Sequence, residues 1–365
     1  MSIQSTHRPG RPHPALSRRA LLAGTAAGAV GLSLAACGKG KKAGSQADSK
    51  TVTVVTHDSF HVSEDLQKAF TSETGYTLKV ATSGDAGALV NKLVLTKDAP
   101  LGDAVFGIDN TYATRALDQG VIDTSATVTL PKGAESYVVA DTPALAPIDV
   151  GDVCLNIDTG YFTGKGLTPP ATFEDLTKPE YKGLLVAINP TNSSPGMAWL
   201  LATIGHFGAG SFAGYWKQLM ANGARIAEDW SAAYETDFPG SGKGTYPIVV
   251  SYASSPSFTV SKDKSSSTTS ALLDTAFRQV EYAGVLKGAA NPEGGKAFVT
   301  WMLSKAVQED IPGQMYMYPV LPDAALPEAL TKFGPLSKSP VKVEPKEITT
   351  HREEWLNTWT EAVGK

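Results

Sequence analysis

The sequence predicts an α/β protein of two lobes, each a mixed, largely parallel sheet flanked by helices, with a ligand cleft between the lobes. Three observations point there. β-branched runs alternate with helical runs from Thr51 onward, which is the grammar of a parallel sheet covered by helices. The same alternation starts again after the proline-containing stretch Pro143 to Pro147. The folded portion also exceeds what a single core usually supports. The expected division is residues 51–149 plus 279–320 for the first lobe and 150–278 plus 321–365 for the second.

The elements follow in order. Thr51 to Thr56 is a β-branched strand, and Ser63 to Thr74 repeats Leu66, Ala69 and Phe70 at helical spacing until Gly75 stops it. Thr77 to Ala81 reads as a strand, Gly87 to Lys97 as a helix through Leu89, Leu93 and Val94, and Asp103 to Ile108 as a strand. The second block has a strand at Val153 to Ile157, a helix at Thr172 to Leu176, a strand at Leu184 to Ile188 and a long helix from about Pro195. Later come strands at Pro247 to Ser251 and Val280 to Leu286, and a helix from Glu293 to Gln308 that buries Phe298, Met302 and Val307. A final helix, Pro345 to Val363, carries Trp355 and Trp359 four apart, a spacing that builds one buried stripe.

Ahead of the fold, Arg18-Arg19 precede an uncharged run from Ala20 to Ala36 that ends in Leu34-Ala35-Ala36-Cys37. Paired arginines before a short apolar segment read as a twin-arginine export signal, residues 1–36. The run is marginal for a membrane span. The small residues before Cys37 resemble a bacterial lipobox, so Cys37 is the expected lipidation site, tethering the exported chain to the outer face of the cytoplasmic membrane. Residues 37–50, rich in Gly, Lys, Ser and Ala, describe a solvated tether.

Charge and chemistry exclude several classes. The signal carries Arg8, Arg11, Arg18 and Arg19 and no acid, so its removal takes the formal charge from -4 to -8 and disfavours nucleic acid as a partner. With Cys37 acylated, Cys154 is the remaining thiol, set in an apolar strand where a buried, inert role is expected. The nucleophile-elbow pattern Gly-x-Ser-x-Gly is absent, and Gly240-Ser241-Gly242-Lys243-Gly244-Thr245 departs from a phosphate loop at Gly244 and at Asp237, so it reads as a surface loop. No catalytic residues and no cofactor are expected. His57 and His61 with Glu64 form a His-rich cluster, but His57 follows a strand, where that spacing does not converge on one ion. No metal site is expected.

Polar and aromatic residues gather at predicted strand exits and first helical turns, where ligands sit in open α/β sheets. The segments are His57-Asp58-Ser59-Phe60, Ile108-Asp109-Asn110, Asn189 to Gly196, Asp229 to Tyr234, Ser251 to Pro256 and the loop Pro312 to Pro319. Trp230, Tyr252 and Tyr316 are the aromatic candidates, and Asp58, Asp85 and Asp109 the acidic ones, although each acid also suits a turn or helix cap. Ser193 and Ser194 before Pro195 offer hydroxyls and free N–H groups, with Ser193 equally suited to capping the helix. Ser59 and His57 complete the set.

The chain resembles the thiamine-binding receptors of bacterial ABC transporters, within a wider group that includes ferric-ion and polyamine receptors. The correspondence spans nearly all of residues 51–363 and rests on Asp58-Ser59-Phe60, Ser193-Ser194-Pro195-Gly196, Trp230-Ser231 with Tyr234, Ser251-Tyr252 with Ser255-Pro256, and Met317-Tyr318-Pro319-Val320. It implies a periplasmic-binding-protein-like fold and a monomeric receptor that captures thiamine or its phosphates and passes it to a membrane permease driven by an ATPase. Ferric ion, with His57 and tyrosines as ligands, and a polyamine are the alternatives in that group; a secreted hydrolase is the alternative outside it. The chain departs from the pattern at His57, where an aromatic is usual, and at Tyr316, where Trp is usual. A protonated His57 would repel the thiazolium, so acid should weaken binding.

Overall fold

In the computed structural model, which describes residues 50–364, the chain forms an open mixed sheet with helices on its faces. The expected signal, Cys37 and the tether as far as residue 49 lie outside the described residues. Strands β1 (Thr51–Thr56), β2 (Thr77–Thr82) and β3 (Ala104–Asp109) alternate with helices α1 (Glu64–Thr74), α2 (Ala86–Leu95) and α3 (Ala113–Asp118). Strand β4 (Leu145–Asp158), α4 (Thr159–Lys165), β5 (Leu185–Ile188), α5 (Ser194–Phe207), α6 (Phe212–Ala221), β6 (Arg225–Ala227) and β7 (Ile248–Tyr252) follow. The long β8 (Thr269–Val285) leads to α7 (Pro292–Met302), α8 (Lys305–Met315), the short β9 (Tyr318–Pro319), α9 (Glu328–Phe333) and α10 (Pro345–Val363).

The strand order is β2-β1-β3-β8-β4-β7-β5-β6, with β9 pairing β4. Two parallel groups, β2-β1-β3 and β7-β5-β6, are joined through the antiparallel strands β8 and β4. β1 and β3 are buried on both faces, as parallel strands under helices are. Local chemistry sets the helix ends: α1 stops at Gly75, in left-handed conformation with φ 75°, and α5 starts at Ser193, whose hydroxyl accepts from the Gly196 N–H, with Pro195 in the first turn. The aromatic core packs edge to face, Trp216 against Trp199 (ring centres 5.2 Å apart) and against Trp359 of α10 (5.6 Å). Trp355, Phe298, Met302 and Val307 are buried as their spacing predicts, and Cys154 is buried beside Ala253 and Ala276, where burial pushes its thiol far up.

Four elements differ from the sequence reading. The strand expected at Val153 to Ile157 begins earlier, at Leu145, so the end of the Pro143 to Pro147 stretch lies within it. Pro147 pairs with Tyr282 beside an irregularity in the β4–β8 register, between Pro147 and Asp149, a place where strands accept proline. β8 begins at Thr269, well before Val280, its outer half masked in the sequence by the exposed Asp274 and the half-buried Arg278. The helix expected from Glu293 to Gln308 is two helices, α8 restarting at Ser304, whose side chain caps it. The Thr172 to Leu176 helix is a single tight turn at Glu174–Thr177. Positions 149/150 and 278/279, the expected lobe boundaries, fall inside β4 and β8.

Candidate functional site

His57 directly follows β1, and the turn it opens fixes its ring. Nδ1 accepts the Ser59 N–H (3.1 Å), and Nε2 lies 3.5 Å from Glu281 Oε2. Gly107 opposite has φ 97°, and a Cβ there would come within 2.0 Å of the His57 ring, so only glycine leaves room. Burial disfavours the imidazolium, but the carboxylate of Glu281, helped by Asp85 and Asp58, outweighs it and raises the His57 pKa.

The starts of α2 and α5 abut nearby, the Ala88 N–H bonding the Asn192 carbonyl (3.2 Å). Asp85 caps α2 through the Ala86 N–H (2.6 Å) and has the Ser193 hydroxyl and Ser194 N–H beside it. Burial pushes its carboxyl up against those hydrogen bonds. A carboxylate therefore already stands where two helix N-termini would draw an anion. Ser194 is buried with no partner for its hydroxyl.

Aromatic rings form the other walls. Trp230 is oriented by its Nε1 donating to Ser251 Oγ (3.0 Å) and by stacking on Tyr234 (5.0 Å between centres, 15° between planes). Tyr316 stands edge-on to Trp230 at 6.3 Å, and its far face stacks on Phe258 at 3.6 Å. It ends α8 with φ 65°, left-handed backbone that a tyrosine adopts only where its surroundings hold it. Tyr252 directs its hydroxyl to Gln279 Oε1 (3.4 Å). Behind it, Gly151 of β4 admits Met317, whose sulfur would lie 2.7 Å from a Cβ at that position.

These side chains enclose one cleft, lined by His57, Ser59, Asp85, Ser194, Pro195, Trp230, Tyr252, Glu281, Met315, Tyr316 and Met317. Its walls leave a cavity of about 50 Å³, room for a few waters. Seven of the sequence candidates, His57, Ser59, Asp85, Ser194, Trp230, Tyr252 and Tyr316, come together here. Three stand off it. Asp58 is exposed and ties its turn to the Gly84 N–H (3.0 Å). Asp109 is buried and caps its own turn through the Thr111 N–H and hydroxyl, with burial raising it to about 7. Ser193 serves as the α5 cap. Glu281 escaped the sequence reading, although a lone acid in the apolar run from Val280 to Leu286 was a usable signal, since buried charge needs a reason. His61 is exposed, and among the described residues no group of His, Cys, Asp or Glu is placed to hold a metal ion. Nor is any helix among them long and apolar enough to cross a membrane.

The sequence profile of the bacterial extracellular solute-binding proteins matches residues 103–334. The thiamine-binding periplasmic protein of Salmonella typhimurium is 27% identical over 86% of this chain and 94% of its own length. That of Haemophilus influenzae is 22% identical over 87% of this chain and 93% of its own. Among solved structures, a periplasmic thiamin-binding protein superposes with TM-score 0.75 and 25% identity over 86% of this chain and 96% of that one. Iron-bound HitA from Pseudomonas aeruginosa shares the fold, with TM-score 0.65 and 20% identity over 86% of this chain and 99% of that one.

Proposed function

Because this chain belongs to the bacterial extracellular solute-binding protein family, and is therefore an exported binding protein and not an enzyme, we propose that its solute is thiamine. The observation that carries the reading is the combination of Trp230, Tyr252 and Tyr316 around a cleft into which Glu281 presents a carboxyl. Thiamine joins a flat aminopyrimidine to a permanently cationic thiazolium. Aromatic faces suit both rings, each attracting the cation by about 0.5 to 2 kcal/mol once water is excluded, and an acid offsets the charge. A two-ring ligand needs more than the present cavity, so the walls must part to admit it. The movement is assigned to two lobes, residues 51–149 plus 279–320 and 150–278 plus 321–365, turning about β4 and β8.

The rest of the reading concerns delivery. A monomer exported by the twin-arginine segment 1–36 and anchored through lipid on Cys37 hands thiamine to the permease and ATPase of an ABC importer. Titration calorimetry with thiamine, its mono- and diphosphate, spermidine and ferric citrate tests the ligand. Thiamine should bind with the highest affinity of the panel, and Trp230→Ala or Tyr252→Ala should each lose about 1 to 3 kcal/mol. Unchanged affinity in both variants would remove the site assignment.

A further inference from the structure

Three acids lie directly across from one another on neighbouring strands. Asp109 of β3 is the register partner of Glu281 of β8, and Glu281 is in turn the register partner of Asp149 of β4. Residues opposite in register share one face of the sheet, where like charges repel. All three are buried. Donors around them are too few for three carboxylates: Thr111 serves one oxygen of Asp109, the Gln279 amide serves Glu281 Oε1 (3.1 Å), and the other Asp109 oxygen and both oxygens of Asp149 meet none. A buried acid without donors keeps its proton.

The groups facing this row come from every side. His57 approaches Glu281 from the end of β1, with Asp85 and Asp58 beyond it. Tyr252 of β7 faces Glu281, and Arg352 of α10 faces Asp109. Glu281 alone of the three acids lines the cleft.

We propose that Asp109 and Asp149, set in register on either side of Glu281, store protons together with His57 and that a cationic ligand beside Glu281 displaces them, so that capture in this cleft is coupled to proton release. The inference rests on the thiamine reading and adds its regulation by pH. A fixed positive charge beside Glu281 favours ionised acids and disfavours imidazolium, and each response releases a proton. Burial, with the Glu281 carboxyl beside it, holds Asp149 well above the usual carboxylate range, and burial brings Asp109 to about 7, so Asp109 can answer near neutrality while Asp149 holds its proton until a positive charge arrives. Release of one proton makes affinity rise about tenfold per pH unit.

The test is calorimetric titration of thiamine into the purified chain, in buffers of contrasting ionisation enthalpy, between about pH 6 and about pH 8.5. The expected result is an observed enthalpy that tracks the buffer with net proton release, and a Kd that falls as pH rises. Asp149→Asn, and separately Asp109→Asn, should still bind thiamine while releasing fewer protons and showing a flatter pH profile. Thiamine binding with no buffer dependence and a flat Kd overturns this inference alone. Failure of thiamine to bind at any pH overturns the ligand reading and this inference together.

Discussion

At the scale of single residues, Asp85 is the group expected to discriminate between forms of the proposed ligand. Its carboxyl, flanked by the Ser193 hydroxyl and the Ser194 N–H, sits at the meeting of two helix starts. A phosphate tail brought there meets a like charge, so free thiamine should bind more tightly than its diphosphate, and Asp85→Asn should narrow the gap; competition titrations of both ligands against both proteins check this. Gly107 is the position least able to accept a side chain. Gly107→Ala should destabilise the fold by about 1 to 3 kcal/mol for backbone strain alone, read from urea denaturation, and should displace His57 as well. Which residues face the cleft was legible where a strand exit carried an aromatic or polar cluster, as at His57, Trp230 and Tyr252. Asp58 and Asp109 stand off the cleft, although a capping acid and a ligand-facing acid have the same local sequence. Their difference is set by which strand lies alongside.

At the scale of elements, the sequence marks the ends of the long strands β4 and β8 better than their starts. Thr51–Thr56 and Pro345–Val363 are found where the pattern puts them, because each is one uninterrupted period of apolar residues. β8 is not, since Asp274 and Arg278 break its alternation while Arg278 is held by Asp152 across the β4–β8 pair (3.0 Å from Nη2 to Oδ2). The break between α7 and α8 turns on Ser304, whose capping value is invisible inside an otherwise helical run. Caps of this kind carry measurable stability. Asn291 accepts the Gly294 N–H at the start of α7 (2.9 Å) and donates to the Thr51 carbonyl of β1 (3.1 Å), so Asn291→Ala should lower stability by about 0.5 to 2 kcal/mol in thermal or chemical denaturation with little effect on the distant cleft.

At the scale of the molecule, the alternation of strands and helices made the fold class legible, but the joining of its two parallel groups was not. That junction depends on β4 and β8 pairing along most of their lengths, a contact between segments more than a hundred residues apart that local patterns do not encode. Pairing of β8 with β4 on one side and β3 on the other brings Asp149, Glu281 and Asp109 into one row, a neighbourhood that local patterns do not encode. If the small cavity is one end of an opening and closing motion, small-angle scattering should show a measurable change in radius of gyration between the free chain and the chain saturated with thiamine. The cleft of rings and acid is proposed to select thiamine. Equilibrium dialysis of the purified chain against labelled thiamine, with spermidine and ferric citrate in excess, decides the matter: stoichiometric retention of thiamine that neither competitor removes is expected, and loss of the label with retention of a competitor would overturn the assignment.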